Sequence, residues 1–268
     1  MYADVDGMTM YYEEHGNPDG PPLVLLHGFT LTGRLSWDPH LAALGADYRL
    51  VVPDLRGHGL SDNPEGAAGM NGHRFAQDIS RFCDQIGIER AAFFGYSMGA
   101  TVVLHLALSR PDLVAAAALA AASFTVPEPV RASMRDMSVS VLANGWFGPP
   151  GEEADRYRSV FVASHAALGP DHWQIVMGDF IAHFGRPDAD DYPALNSMPD
   201  IAAPALVLHG DRDQFFPLEI PVELYRHIPD AELAILPLSS HDLIDEHPAY
   251  VTSLVLDFLR RRYLAAAE

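Results

Sequence analysis

Gly95-Tyr96-Ser97-Met98-Gly99 is the stretch on which the reading of this chain turns. Ahead of it stands a short apolar run, Ala91-Ala92-Phe93-Phe94, of the kind a strand shows when both faces are covered. Behind it, Met98 to Ser109 sets Val102, Val103 and Leu106 on one helical face, and Pro111 ends the segment. A serine at a strand-to-helix junction, with glycine two residues to either side, marks a turn too tight for a Cβ at those flanks. Such a turn projects the serine hydroxyl above the sheet edge. The helix N-terminus at Met98 adds unsatisfied N–H groups and a positive field.

The same alternation runs outward in both directions. Met8 to Glu14, Leu23 to Leu26, Leu50 to Val52 and Val114 to Ala122 read as strands. His73 to Ile86, with Phe75, Ile79, Phe82 and Ile86 at three- and four-residue steps, reads as a helix. The rhythm stops near Ser123. From Phe124 to Asp200 the chain has helical periodicity, many Met and aromatic residues, and breaks at Gly148-Pro149-Pro150 and Gly185-Arg186-Pro187. It then resumes with a strand at Ala205 to Leu208, a helix at Leu218 to Ile228, a strand at Ala231 to Leu236 and a last helix from Pro248 to Tyr263. The expected fold class is α/β, a mostly parallel sheet with helices on both faces, plus a helical lid insertion. Residues 1–123 and 201–268 form the core in this reading, and 124–200 the cap.

A serine hydroxyl is a weak nucleophile until a base takes its proton. Two downstream loops can supply the partners, in the order serine, acid, histidine. His209-Gly210-Asp211-Arg212-Asp213 leaves the strand at Ala205, and Ser239-Ser240-His241-Asp242 leaves the strand at Ala231. Both would emerge at the carboxyl edge of parallel strands, where Ser97 also stands. With 13 histidines in the chain, order and placement select His241 as base; His209, at a strand end, is its nearest competitor, and His247 starts the last helix. Asp211 and Asp213 share one turn, and spacing alone does not separate them.

Leu26-His27-Gly28-Phe29, Asp54-Leu55-Arg56-Gly57-His58-Gly59-Leu60-Ser61-Asp62, the Ser97 pentapeptide, Gly210-Asp211-Arg212-Asp213 and His241 together resemble the α/β-hydrolase superfamily. The resemblance spans nearly all of the chain outside the cap and is closest to cofactor-free bacterial esterases, perhydrolases and enol-lactonases. It implies Asp213, three residues after the glycine, as the acid, and the backbone N–H groups of Phe29 and Met98 as the oxyanion hole. The Asp54–Asp62 stretch is read as a structural turn, with His58 a packing residue. Ser239-Ser240 departs from the glycine common before the histidine. Ser97 sets the chain apart from relatives with a carboxylate nucleophile. Phe29, with Met137, Trp146 and Trp173 of the cap, is the expected substrate-binding set, since flat aromatics and flexible Met suit an adaptable apolar roof.

The implied activity is hydrolysis of a carboxylic ester or lactone of a small, fairly apolar substrate through an acyl-serine intermediate. Thioester or C–C bond hydrolysis, and cyclase or lyase chemistry, use the same triad. A ligand receptor that keeps the fold without catalysis is the alternative from another class. No cofactor and no metal are expected. The formal charge of −19 disfavours nucleic acid and anionic lipid surfaces as partners, and a homodimer is left open. The lone Cys83 sits in an apolar-periodic stretch and reads as a buried helix residue. Met1 to Asp6 lacks a basic or apolar leader pattern, so the cytoplasm is the expected location.

Overall fold

The central strands form where the sequence is continuously apolar. In the computed structural model, which describes residues 1–133, 136, 151–184 and 191–265, eight strands make one sheet. They are β1 (Tyr2–Val5), β2 (Met8–Gly16), β3 (Pro22–Leu26), β4 (Arg49–Pro53), β5 (Ala91–Tyr96), β6 (Val114–Ala120), β7 (Ala205–Gly210) and β8 (Ala231–Leu236). Their order is β1-β2-β4-β3-β5-β6-β7-β8. β1 and β2 run antiparallel to their neighbours, and from β4 to β8 every pairing is parallel. All residues of β5, β6 and β7 are buried, as covered parallel strands must be, whereas β1 alternates exposed and buried residues as an edge does.

Helices cover both faces. On one side α2 (Gly72–Gln85), α3 (Met98–Ser109) and α6 (Glu219–His227) pack Phe75, Phe82, Val102, Leu106 and Leu224 against the sheet. On the other, α1 (Gly33–Leu44), α7 (Leu243–Glu246) and α8 (Pro248–Leu259) bring Trp37, Leu44, Ile244, Val255 and Phe258. Two apolar cores therefore sandwich one sheet. Cys83 is buried in α2. The last helix ends at Leu259 rather than Tyr263, and Arg260–Leu264 continues it as a wider turn. Among the described residues no helix is long and apolar enough to cross a membrane.

Between β6 and β7, which are hydrogen-bonded neighbours, lie α4 (Glu152–His165) and α5 (His172–Phe184). Phe161, Trp173, Val176 and Met177 of these helices join the core cluster on the α2–α3 side. They rest on the loop after β4. His172 Nε2 lies 3.3 Å from the Gly57 carbonyl oxygen, and Asn63 donates to Asp179 at 3.1 Å. That loop is rigid for reasons visible in Asp54–Asp62. Gly57 and Gly59 adopt positive φ, and Asp54 accepts from the N–H groups of Gly33 and Leu60. Arg56 makes a two-point, fully buried ion pair with Asp78 of α2 at 2.7 and 2.8 Å. His58, fully buried, donates from Nδ1 to the Arg56 carbonyl and packs edge-on against Phe29 and Phe75.

Candidate active site

Parallel strands put the loops that follow β3, β4, β5, β7 and β8 on a single edge of the sheet, and the expected residues gather there. Ser97 has φ 51° and ψ −114°, a conformation that non-glycine residues rarely adopt and that the surroundings impose. The neighbouring glycines show how. A Cβ on Gly95 would stand 2.6 Å from the Ala100 Cα, and one on Gly99 would overlap the Leu26 carbonyl oxygen. The backbone of α3 thus lies directly against β3 and β5, and the serine is thrust outward at their junction.

His241 approaches from the other side. Its Nε2 is 2.9 Å from Ser97 Oγ and its Nδ1 is 2.8 Å from Asp213 Oδ2. A carboxylate can only accept, so Nδ1 carries the proton and Nε2 presents its lone pair to the serine O–H. The second oxygen of Asp213 accepts the backbone N–H groups of Phe215 and Phe216 at 2.8 and 2.9 Å. Burial pushes the Asp213 carboxyl up; the hydrogen bond and charge of His241 and the Phe216 N–H outweigh this and hold it below the usual aspartate range. His241 is 7% exposed, and its ring is walled by those of Phe215, at 4.9 Å, and Phe216, at 5.5 Å. Gln214 Oε1 accepts the His241 N–H at 3.2 Å.

Asp211 has a different place. Its Oδ1 accepts the Ser239 N–H at 3.2 Å, tying the β7 loop to the β8 loop. His209 is fully buried behind Asp213, donates to the Phe216 carbonyl from Nε2, and is held neutral by burial despite the nearby carboxylate. The serines that replace a glycine before His241 are both bound to Glu246, through Ser239 Oγ, Ser240 N and Ser240 Oγ at 3.1, 2.8 and 2.8 Å. Gln214 and Glu246 had no signature in the sequence; only their position next to Asp213 and five residues after His241 could have pointed to them.

Across from the histidine, the loop after β3 lies against the serine. A Cβ built on Gly28 would be 3.6 Å from Ser97 Cβ. His27 shapes this loop, donating from Nδ1 to the Gly28 carbonyl at 2.7 Å and accepting the Leu55 N–H on Nε2 at 2.9 Å. Burial holds this imidazole down to about 4, so it stays neutral in that bridging role. Phe29 follows in the loop, and Met98 is the first residue of α3, whose N-terminus faces the same edge. Trp173 packs edge-on against Phe161 and lines a cleft of about 490 Å³ between α4 and α5 with Asp155, Pro170 and Gln174. Met137 and Trp146 lie outside the described residues. Among the described residues no group of three or more His, Cys, Asp or Glu side chains is arranged to hold a metal ion.

Comparison with known proteins follows the same lines. The chain is 26% identical to the AB hydrolase superfamily protein YfhM of Bacillus subtilis, over 98% of each chain. It is 29% identical to a pimeloyl-[acyl-carrier protein] methyl ester esterase of Vibrio atlanticus, over 92% of this chain and 97% of the other. The crystal structure of an enol-lactonase from Burkholderia xenovorans LB400 superposes with a TM-score of 0.76 at 25% identity, covering 97% of this chain and 100% of that one. The family model described as alpha/beta hydrolase fold matches residues 21–172, from the start of β3 through Ser97 and on to the first residue of α5. The strand order, the Ser97 turn and this match agree: the chain belongs to the alpha/beta hydrolase fold family.

Proposed function

We propose that this protein is a serine hydrolase that cleaves a carboxylic ester or lactone of a small, fairly apolar substrate through an acyl-serine intermediate. One observation carries the reading: the continuous hydrogen-bonded chain Ser97 Oγ, His241 Nε2, His241 Nδ1, Asp213 Oδ2, with links of 2.9 and 2.8 Å. In the proposed mechanism His241 accepts the hydroxyl proton as Ser97 Oγ bonds to the carbonyl carbon. The charge that forms on the carbonyl oxygen is met by the N–H groups of Met98 and Phe29, each such donor lowering the barrier by about 3 kcal/mol. Collapse of this intermediate breaks the bond to the alkoxy oxygen, which leaves with the proton from His241. Water, deprotonated by the same imidazole, then frees the acid. In a lactone the leaving alcohol stays tethered to the acyl group. Asp213 keeps the proton of His241 on Nδ1 and stabilises the imidazolium. Residues 124–200 are assigned as a cap, and Phe29, Trp173, Met137 and Trp146 are kept as the proposed substrate-binding set.

A fluorophosphonate probe and a series of p-nitrophenyl esters of graded chain length test the reading. The protein should label stoichiometrically and turn over short to medium neutral esters. Ser97→Ala should abolish labelling and lower kcat roughly 10⁴-fold or more. An unreactive wild-type serine would favour the receptor reading, and turnover confined to charged acyl groups would reject an apolar substrate.

A further inference from the structure

Tyr96, the residue immediately before the proposed nucleophile, is the last residue of β5 and 3% exposed. Its phenol donates to Asp242 Oδ1 at 2.8 Å, and Asp242 immediately follows His241. The two ends of this bond are 146 residues apart in the chain, yet each adjoins one partner of the Ser97–His241 hydrogen bond. The tyrosine ring also lies between the other two parts of the site. Its centroid is 5.6 Å from that of His241, and a Cβ on Gly28 would stand only 2.7 Å from its Cδ1 and Cε1 atoms. One side chain thus touches the serine turn, the loop that carries Phe29 and the loop that carries the histidine.

Asp242 confirms that the contact is specific in its chemistry. It occupies the N-cap position of α7, where an aspartate side chain ordinarily accepts a helix N–H, but its carboxylate makes no capping bond. The backbone of Asp242 does the local work instead, accepting the N–H groups of Asp245 and Glu246. The side chain is left for the phenol. Burial and the charge of Asp242 push the Tyr96 hydroxyl well above its ordinary pKa, so it remains a donor.

Resting on the proposed serine hydrolase reading, we infer that Tyr96 and Asp242 are positioning residues: their hydrogen bond locks the histidine loop to the nucleophile strand and sets the Ser97–His241 distance. Neither side chain is assigned contact with the reacting atoms. Catalytic hydrogen bonds are sensitive to sub-ångström placement, so loosening this strut should slow the chemical step and leave substrate binding unchanged.

Four variants measured on one p-nitrophenyl ester, with fluorophosphonate labelling rates alongside, decide the matter. Tyr96→Phe keeps the ring and deletes only the hydroxyl; Asp242→Ala deletes the acceptor. Each should lower kcat and the labelling rate roughly tenfold with KM unchanged within about twofold. The double variant should be no slower than either single one, because both remove the same bond. Asp242→Asn retains an oxygen that accepts from the phenol and should restore kcat to within about twofold of wild type. Tyr96→Phe at wild-type kcat overturns the inference. So does an additive double variant, or Asp242→Asn as slow as Asp242→Ala, which would assign the effect to charge. A wild-type protein that neither labels nor turns over ester would instead overturn the hydrolase reading itself. If Asp242→Ala does not fold, Tyr96→Phe against Asp242→Asn still decides, since both preserve the packed side-chain volume.

Discussion

At the scale of single residues the informative contrast is between two aspartates in one turn. Asp213 engages His241 with one oxygen and two backbone N–H groups with the other, whereas Asp211 holds the Ser239 N–H. This asymmetry makes a sharp prediction for the amides. In Asp213→Asn the side-chain oxygen must stay where Phe215 and Phe216 donate, so the NH₂ is turned toward His241 Nδ1. That forces the proton of the imidazole onto Nε2, where it can no longer accept from Ser97, and kcat should fall roughly 10³- to 10⁴-fold with little change in KM. In Asp211→Asn the amide oxygen still accepts from Ser239, and kcat should stay within about threefold of wild type. Steady-state kinetics on one ester checks both; equal losses would show that the two carboxylates act together. The same contrast explains how far the sequence reaches. Ser97 and His241 were legible because chemistry prescribes their types and their order at the sheet edge. The choice between Asp211 and Asp213 was open to spacing, because what distinguishes them is which backbone N–H groups each oxygen meets.

At the scale of elements, the site depends on how closely a helix can approach a strand. Gly99 sits in the first turn of α3, and a methyl group there would overlap the Leu26 carbonyl oxygen and stand 2.7 Å from that of His27. Backbone cannot rotate away as a flexible side chain could, so Gly99→Ala should cost about 1–3 kcal/mol. It should also lower kcat, because α3 carries the Met98 N–H and β3 leads into the loop that carries the Phe29 N–H. Gly178, inside α5, has nothing within 4 Å of its would-be Cβ. There the same substitution should stabilise by about 0.5–1 kcal/mol. Guanidinium unfolding of the two variants should therefore give shifts of opposite sign. α2, whose buried Phe75, Ile79 and Phe82 follow the helical period, was legible to within one residue at each end, and α3 and β8 were legible at both ends. β1 escaped because four residues with alternate exposure carry too little pattern. α1 escaped for another reason: its buried residues are Gly33, Ser36, Trp37, His40 and Leu44, of which only Trp37 and Leu44 are large and apolar, and Pro39 stands inside it. His40 is tolerated there because Thr252 and the Ile244 carbonyl meet its two nitrogens, partners that lie more than 200 residues away.

At the scale of the whole molecule, buried imidazoles govern how the fold should respond to acid. His27, His40, His58, His165 and His209 are fully buried. Burial holds His27, His40 and His165 at about 4, pushes His58 well below its ordinary value and lowers His209. In the unfolded chain each titrates near 6.5. Between those values the unfolded state binds protons that the folded state refuses, so stability is complete above about pH 6.5 and falls as pH drops toward 4. Each such group contributes a slope of about 1.4 kcal/mol per pH unit inside that window. Asp54 and Asp245 act in the opposite sense. Burial raises both carboxyls to about 6, so the folded state takes up these protons first and gains stability as pH falls from 6 toward 4. Five buried imidazoles against these two carboxyls leave the histidines dominant, and unfolding free energy should drop by a few kcal/mol between pH 7 and pH 5. His58 and His165 face each other across the junction of the β4 loop and α4, with ring centroids 6.1 Å apart. Part of the loss should therefore appear as separation of α4 from that loop. Guanidinium titrations at the two pH values measure the slope, and His165→Leu should flatten it by about one group's share even where it lowers stability at pH 7. A midpoint independent of pH over this range would mean that these imidazoles are charged in the fold or already sheltered in the unfolded chain.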